Sequence, residues 1–193
     1  MNQLDVSGNF MRGLQGPQQP QGNALAGMAQ PQAQRQYNAL AAFGGPTQAA
    51  ADSMEGGATP EAVDIAGTAL GLNETTKKAA LQEFLAKGGQ NLDPAITAWC
   101  AAFVDATLAQ AGKQGTGKLN ARSYLDWGQE VAEPQIGDLA VFSRGDPNGW
   151  QGHVGFFKGY NPDGTINVLG GNQGNSVSVR PYSADRLLGF RRG

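Results

Sequence analysis

The chain has 193 residues, with 14 Lys and Arg against 16 Asp and Glu, for a net charge of −2. That balance leaves no basic footprint for a nucleic-acid backbone, and no run of 18 apolar residues is present to span a membrane as a helix. One cysteine excludes an internal disulfide, and one Cys with one His is too few ligands for the usual zinc sites, so neither a metal nor a cofactor is expected.

Residues 1–58 read as an arm and 59–193 as a domain. Of the first 60 residues, 35 are Gln, Ala, Gly or Pro. Such a stretch buries too little apolar surface to offset its chain entropy, so on its own it should stay unfolded. Three small apolar sets interrupt it: Phe10, Met11 and Leu14; Leu25 and Met28; and Tyr37, Leu40 and Phe43. The arm is therefore either a flexible tail or a segment that docks on a partner protein. The opening residues Met1-Asn2-Gln3-Leu4-Asp5 lack the basic-then-apolar pattern of a secretory signal, so export by a recognisable signal of its own is not expected.

A helical lead-in is expected over residues 59–92. Thr59-Pro60-Glu61 has the pattern of a helix start: a cap, a first-turn proline and an acid at the positive end. Val63, Ala66 and Leu70 then share a face, and Gly71 closes the helix. Asn73 is placed to cap a second helix with Ala80, Leu81, Phe84 and Leu85 as its buried stripe, stopped by Gly88-Gly89.

The core is expected over 93–193. Either Asp93-Pro94 or Thr97 starts a helix that holds Cys100 in its first two turns. Phe103, Val104, Leu108 and Ala111 continue its stripe, and Gly112 ends it. A short second helix is expected over Asn120 to Gly128. The apolar period then switches to two, and five strands are expected: Asp138–Ser143, His153–Lys158, Thr165–Leu169, Val177–Arg180 and Leu188–Arg191. Helices followed by a strand meander give an α+β fold with the helices on one face of an antiparallel sheet.

The chemistry rests on the single Cys and the single His. A free cysteine on an apolar helix is, taken alone, more often a small core hydrophobe than a nucleophile. Here, though, Cys100 stands at a helix start, where the dipole favours a thiolate, and His153 follows 53 residues later in a strand. That order suits a thiol nucleophile with an imidazole base. A third polar group should orient the ring from the neighbouring strand. Asn172 and Gln173, at the end of the strand after His153, are the two candidates, with Asn172 preferred.

The motifs Thr97-Ala98-Trp99-Cys100-Ala101-Ala102-Phe103-Val104, Ala121-Arg122-Ser123, Gly137-Asp138-Leu139-Ala140-Val141-Phe142, Gly152-His153-Val154-Gly155-Phe156 and Leu169-Gly170-Gly171-Asn172-Gln173 occur in this order. Together they resemble papain-like cell-wall hydrolases of the NlpC and CHAP (cysteine, histidine-dependent amidohydrolase/peptidase) type, above all phage-type members. The resemblance covers roughly residues 75–193. It implies a papain-like fold and cleavage of a peptidoglycan amide bond, as an endopeptidase or N-acetylmuramoyl-L-alanine amidase. Cys100 would be the nucleophile, His153 the base and Asn172 the orienter, with no metal. In one departure, CHAP relatives often carry Glu two residues before the Asn, where this chain has Gly170.

Trp99, beside the nucleophile, and Trp150, just before His153, are candidate walls of the substrate groove. Arg122 is a candidate grip for a stem-peptide carboxylate. A Gln/Ala-rich arm on a phage-type hydrolase suggests a virion protein, internal or tail-associated, that reaches the host envelope with the particle. Other virion proteins would then be partners of residues 1–58 and peptidoglycan the substrate. The alternative is a structural or ejection protein of the virion whose hydrolase domain is secondary or inactive.

Overall fold

A computed structural model describes residues 60–193. The expected arm, its apolar sets and Thr59 lie outside the described residues. Three helices come first: α1 (Pro60–Thr68), α2 (Lys78–Ala86) and α3 (Cys100–Gln110). A 3₁₀ helix (Ala121–Asp126) leads to β1 (Gln129–Val131), β2 (Leu139–Ser143), β3 (Gly152–Tyr160), β4 (Ile166–Gly170) and β5 (Ser178–Tyr182). A second 3₁₀ turn (Ala184–Arg186) precedes β6 (Leu187–Arg192). The strands form one sheet in the order β1-β6-β2-β3-β4-β5, with every neighbouring pair antiparallel. This is the expected α+β arrangement.

Helix α3 is buried on all sides from Cys100 to Leu108. A helix that is apolar on nearly every side, here with only Asp105 and Thr107 polar in that stretch, belongs inside a fold rather than on its surface. Leu139, Val141, Val154, Phe156 and Leu169 from one sheet face pack around it, with Leu81, Phe84 and Leu85 of α2 and Ala62, Val63 and Ala66 of α1. The other sheet face carries a smaller cluster of Ala140, Phe142, Phe157, Ile166, Val168 and Phe190, flanked by Tyr160, Tyr182 and Leu187. The split follows from the period of two along each strand: Leu139 and Val141 face the helix, Ala140 and Phe142 face away.

Four expectations need correction. Leu70 is 49% exposed, because α1 ends at Thr68 and the turn after it buries Ala69 instead. Ala80 is exposed, leaving Leu81, Phe84 and Leu85 as the stripe of α2. Asn73 does not cap α2. Its Oδ1 accepts the N–H groups of Thr75 and Thr76 at 2.8 and 2.9 Å in a separate turn, and the helix begins only at Lys78. A sixth strand, β1, was not foreseen: three residues with an exposed Gln-Glu start carry no alternation, and the pairing with β6 defines them. Beside that edge, Asp138, 1% exposed, takes the Arg192 guanidinium at 2.9 and 2.7 Å.

The lead-in is fastened to the end of the sheet. Gly71 N–H reaches Val177 O at 3.0 Å, Val177 N–H reaches Leu72 O at 2.8 Å, and Glu74 N–H reaches Asn175 O at 3.0 Å. Residues 71–74 therefore brace the turn between β4 and β5, which carries the candidate orienting groups. Among the described residues no helix is long and apolar enough to cross a membrane.

Candidate active site

Cys100 is the first residue of α3, and it is 5% exposed. Neither expected cap serves the helix. Asp93 instead closes its own turn, accepting Ala95 N–H at 3.0 Å, and pairs with Lys78 at 2.7 Å. The N-cap position is Trp99, whose side chain makes no capping bond. The first N–H groups of α3 are thus not taken by a cap. Those of Cys100 and Ala101 act on the Cys100 sulfur, as does the N–H of Val154, the residue after His153. Burial pushes the thiol pKa up, against the pull of the Val154 N–H, the Arg144 charge and the helix-start N–H groups.

His153 lies on β3 opposite Phe142 of β2, and its ring is fully buried. Its Nε2 is 3.0 Å from Gln173 Oε1. The Gln173 amide nitrogen donates to Ser178 O at 2.6 Å and to Val168 O at 3.3 Å. Both acceptors are carbonyls, so the amide cannot be flipped, and its oxygen must face the ring. His153 Nε2 therefore carries the proton and donates to Gln173. Nδ1 is left as a bare lone pair, buried and without a hydrogen bond. Tyr182 stacks on the ring with centroids 4.9 Å apart and planes 8° apart. Burial depresses the imidazole pKa to about 4; the Gln173 bond opposes this, and the Arg144 and Arg186 charges add to it.

Gln173, not Asn172, thus reaches the imidazole. The strand ends at Gly170, and Asn172 turns left-handed (φ 57°), which breaks the alternation that favoured it. Asn172 is half-buried and makes no hydrogen bond to the ring. Gln173 folds back beneath β4 and β5 and is 2% exposed. The Gly170 departure acquires a physical reason. A Cβ at 170 would stand 3.1 Å from Gln173 Oε1 and 3.3 Å from His153 Nε2, in space that this pair fills. Gly171 is needed for packing, since a Cβ there would lie 2.5 Å from the Trp99 ring and 2.6 Å from Phe103 Cβ.

The candidate groove residues fare differently. Trp99 is fully buried, and its ring N–H donates to Glu74 at 2.9 Å, so it joins α3 to the lead-in and is not a groove wall. Trp150 is 75% exposed on the β2–β3 loop, open to a ligand. Arg122 is engaged with that loop, donating to Gln151 O and Pro147 O, both at 2.9 Å. Holding the loop in place occupies the donors that a carboxylate would use. Sequence reasoning missed Tyr182 and Arg144. Tyr182 had no signal: the register sets it opposite Ile166, and only the three-dimensional course of β5 lays its ring on His153. Arg144 had a weak one, as the residue just after a strand that faces His153.

One comparison with known proteins bears on this geometry. Residues 93–172 match the family model for the CHAP domain. No curated protein matches the chain. The CHAP segment holds Cys100, His153 and Asn172 and stops one residue short of Gln173; α1, α2, β5 and β6 lie outside it. Helices packed on a six-stranded antiparallel sheet, with the CHAP segment at their centre, form a papain-like α+β fold. The match makes this segment, 80 of the 193 residues, similar to CHAP domains.

Proposed function

We propose that the chain cleaves an amide bond of bacterial peptidoglycan, with Cys100 as nucleophile, His153 as base and Gln173 as the group that orients the ring. The observation that carries this reading is the locked tautomer. Gln173 fixes the proton on Nε2 and leaves Nδ1 bare, on the residue next to the N–H that pulls the thiol pKa down.

As the sulfur attacks the amide carbonyl, Nδ1 takes the thiol proton. Burial holds both groups neutral at rest, so the transfer accompanies attack instead of preceding it as an ion pair. The tetrahedral oxyanion is met by N–H groups at the start of α3. The imidazolium, stabilised by the Tyr182 face, then protonates the leaving amine. Water, deprotonated by the same nitrogen, hydrolyses the thioester and restores the thiol.

The bond is either the N-acetylmuramoyl-L-alanine amide or one within the stem peptide. Delivery in a phage particle, with residues 1–58 docked on other virion proteins, is also proposed. Its support is the sequence resemblance and the composition of the arm. A zymogram on purified peptidoglycan tests the activity, and mass analysis of the fragments identifies the bond. Clearing by the wild type, and none by Cys100→Ser, is the expected result. Equal clearing by both would refute the thiol mechanism.

A further inference from the structure

Arg144 follows β2 directly, and its backbone N–H meets Gln151 O at 3.3 Å across the mouth of the β2–β3 hairpin. Two residues earlier on the same face, Phe142 stands opposite His153. Arg144 is therefore one register step beyond the imidazole, on its side of the sheet. Its side chain is exposed and makes no hydrogen bond or ion pair with any described residue. Its charge nonetheless acts on Cys100, His153 and Tyr182 together.

A second arginine lies behind it. Arg186 donates from Nε and Nη2 to Ser143 O, at 3.0 and 2.8 Å, and its guanidinium carbon is 5.8 Å from the Tyr182 ring centre. Arg186 is thus held in place, whereas Arg144 has all its side-chain donors unused. Asp146 and Asp185, the acidic residues nearest in sequence, form no ion pair with either. An uncommitted guanidinium next to the imidazole, whose charge reaches the Cys100 thiol, with a fixed positive charge behind it, is suited to gripping a carboxylate through paired N–H donors.

We propose that Arg144, backed by Arg186, forms an anion subsite that binds a free carboxylate of the substrate next to the amide bond attacked by Cys100. The proposal rests on Cys100 being the nucleophile. Wall stem peptides carry such carboxylates, and the subsite would favour stems in which they are not amidated.

Cys100 is the chain's single cysteine, so alkylation reads this site alone. The sulfur displaces iodide from iodoacetate or iodoacetamide, forming the S–C bond as the C–I bond breaks, and the thiol proton passes to His153. The ratio of the two rates cancels the limited access that both reagents share. In the full chain, Arg144→Gln should lower the iodoacetate-to-iodoacetamide ratio by about fivefold, the scale of one exposed charge pair. Arg144→Lys should keep part of the preference, and added salt should shrink it in the wild type. An unchanged ratio in Arg144→Gln overturns the proposal, as does failure of both reagents to label Cys100. In a second arm, peptidoglycan is compared before and after carbodiimide amidation of its carboxylates. The wild type should slow on the amidated wall through KM, while Arg144→Gln should treat both walls alike. A wild type that digests neither wall refutes the proposed function, and the alkylation ratio still decides the subsite.

Discussion

Among the described residues, Asp105 and His153 each bury an atom with no hydrogen bond, Asp105 Oδ2 and His153 Nδ1. Their surroundings differ. Asp105, 3% exposed in the middle of α3, fastens the Gly-rich loop after that helix. Its Oδ1 accepts the Tyr124 hydroxyl at 2.6 Å and Gly117 N–H at 3.1 Å. Gly115 packs so closely that a Cβ there would lie 2.1 Å from Oδ1. Burial pushes the Tyr124 phenol well above its usual range, so nothing beside Asp105 exchanges a proton at neutral pH. At His153, by contrast, Gln173 fixes the tautomer, Nδ1 is left bare, and the N–H of the next residue pulls on the Cys100 thiol. An unpaired buried atom is a structural cost at Asp105; at His153 it is the lone pair to which the proposed mechanism gives the thiol proton. The neighbours decide which.

The sharpest way to break that comparison is to remove each group. Cys100→Ala and His153→Ala should each reduce wall hydrolysis by roughly a thousandfold or more while leaving cooperative unfolding intact. Asp105→Ala should do the reverse, lowering stability by about 1–3 kcal/mol with near-normal kcat/KM for the folded fraction. A folded Asp105→Ala protein without activity would erase the distinction. Next in size is the pH dependence of stability. His153 titrates near 4 when folded against about 6.5 when unfolded, so its contribution is complete above 6.5 and is lost as pH falls toward 4. That loss should approach roughly 3 kcal/mol. Denaturant unfolding at pH 7 and 4.5 should show it as a slope that is flatter in His153→Gln.

Loss of the tautomer lock is a smaller test. Gln173→Leu should reduce kcat by roughly 10–100-fold, whereas Gln173→Glu should move the acid limb of kcat/KM upward, because a carboxylate favours the imidazolium. A Gln173→Leu enzyme with wild-type rates would mean that Asn172 or nothing orients the ring. Smallest is Trp150→Ala, which should raise KM a few-fold with little change in kcat if the exposed ring lines the groove.

Much of this was legible from residue types. The Cys100 helix, the five longer strands and the placement of His153 follow from periodicity, Gly and Pro punctuation and the scarcity of Cys and His. The choice between Asn172 and Gln173 was not, because it depends on a left-handed backbone at Asn172 that ends the strand alternation. Trp99 misled for a related reason: adjacency to Cys100 in sequence says nothing about the direction of its ring, which Glu74 of the lead-in holds inside. Strand β1 was invisible because pairing, not composition, makes it a strand. The contacts of Arg122 and Tyr182 are long-range and leave no local pattern.

The central claim is that His153 at rest is a neutral Nε2–H imidazole whose bare Nδ1 serves the Cys100 thiol. Because the chain has one histidine, nitrogen-15 NMR of labelled protein gives one unambiguous pair of ring signals. At pH 7 the account predicts a protonated Nε2 and an unprotonated Nδ1, with a titration midpoint near 4. An Nδ1–H tautomer at pH 7, or an imidazolium paired with a resting thiolate, would contradict it.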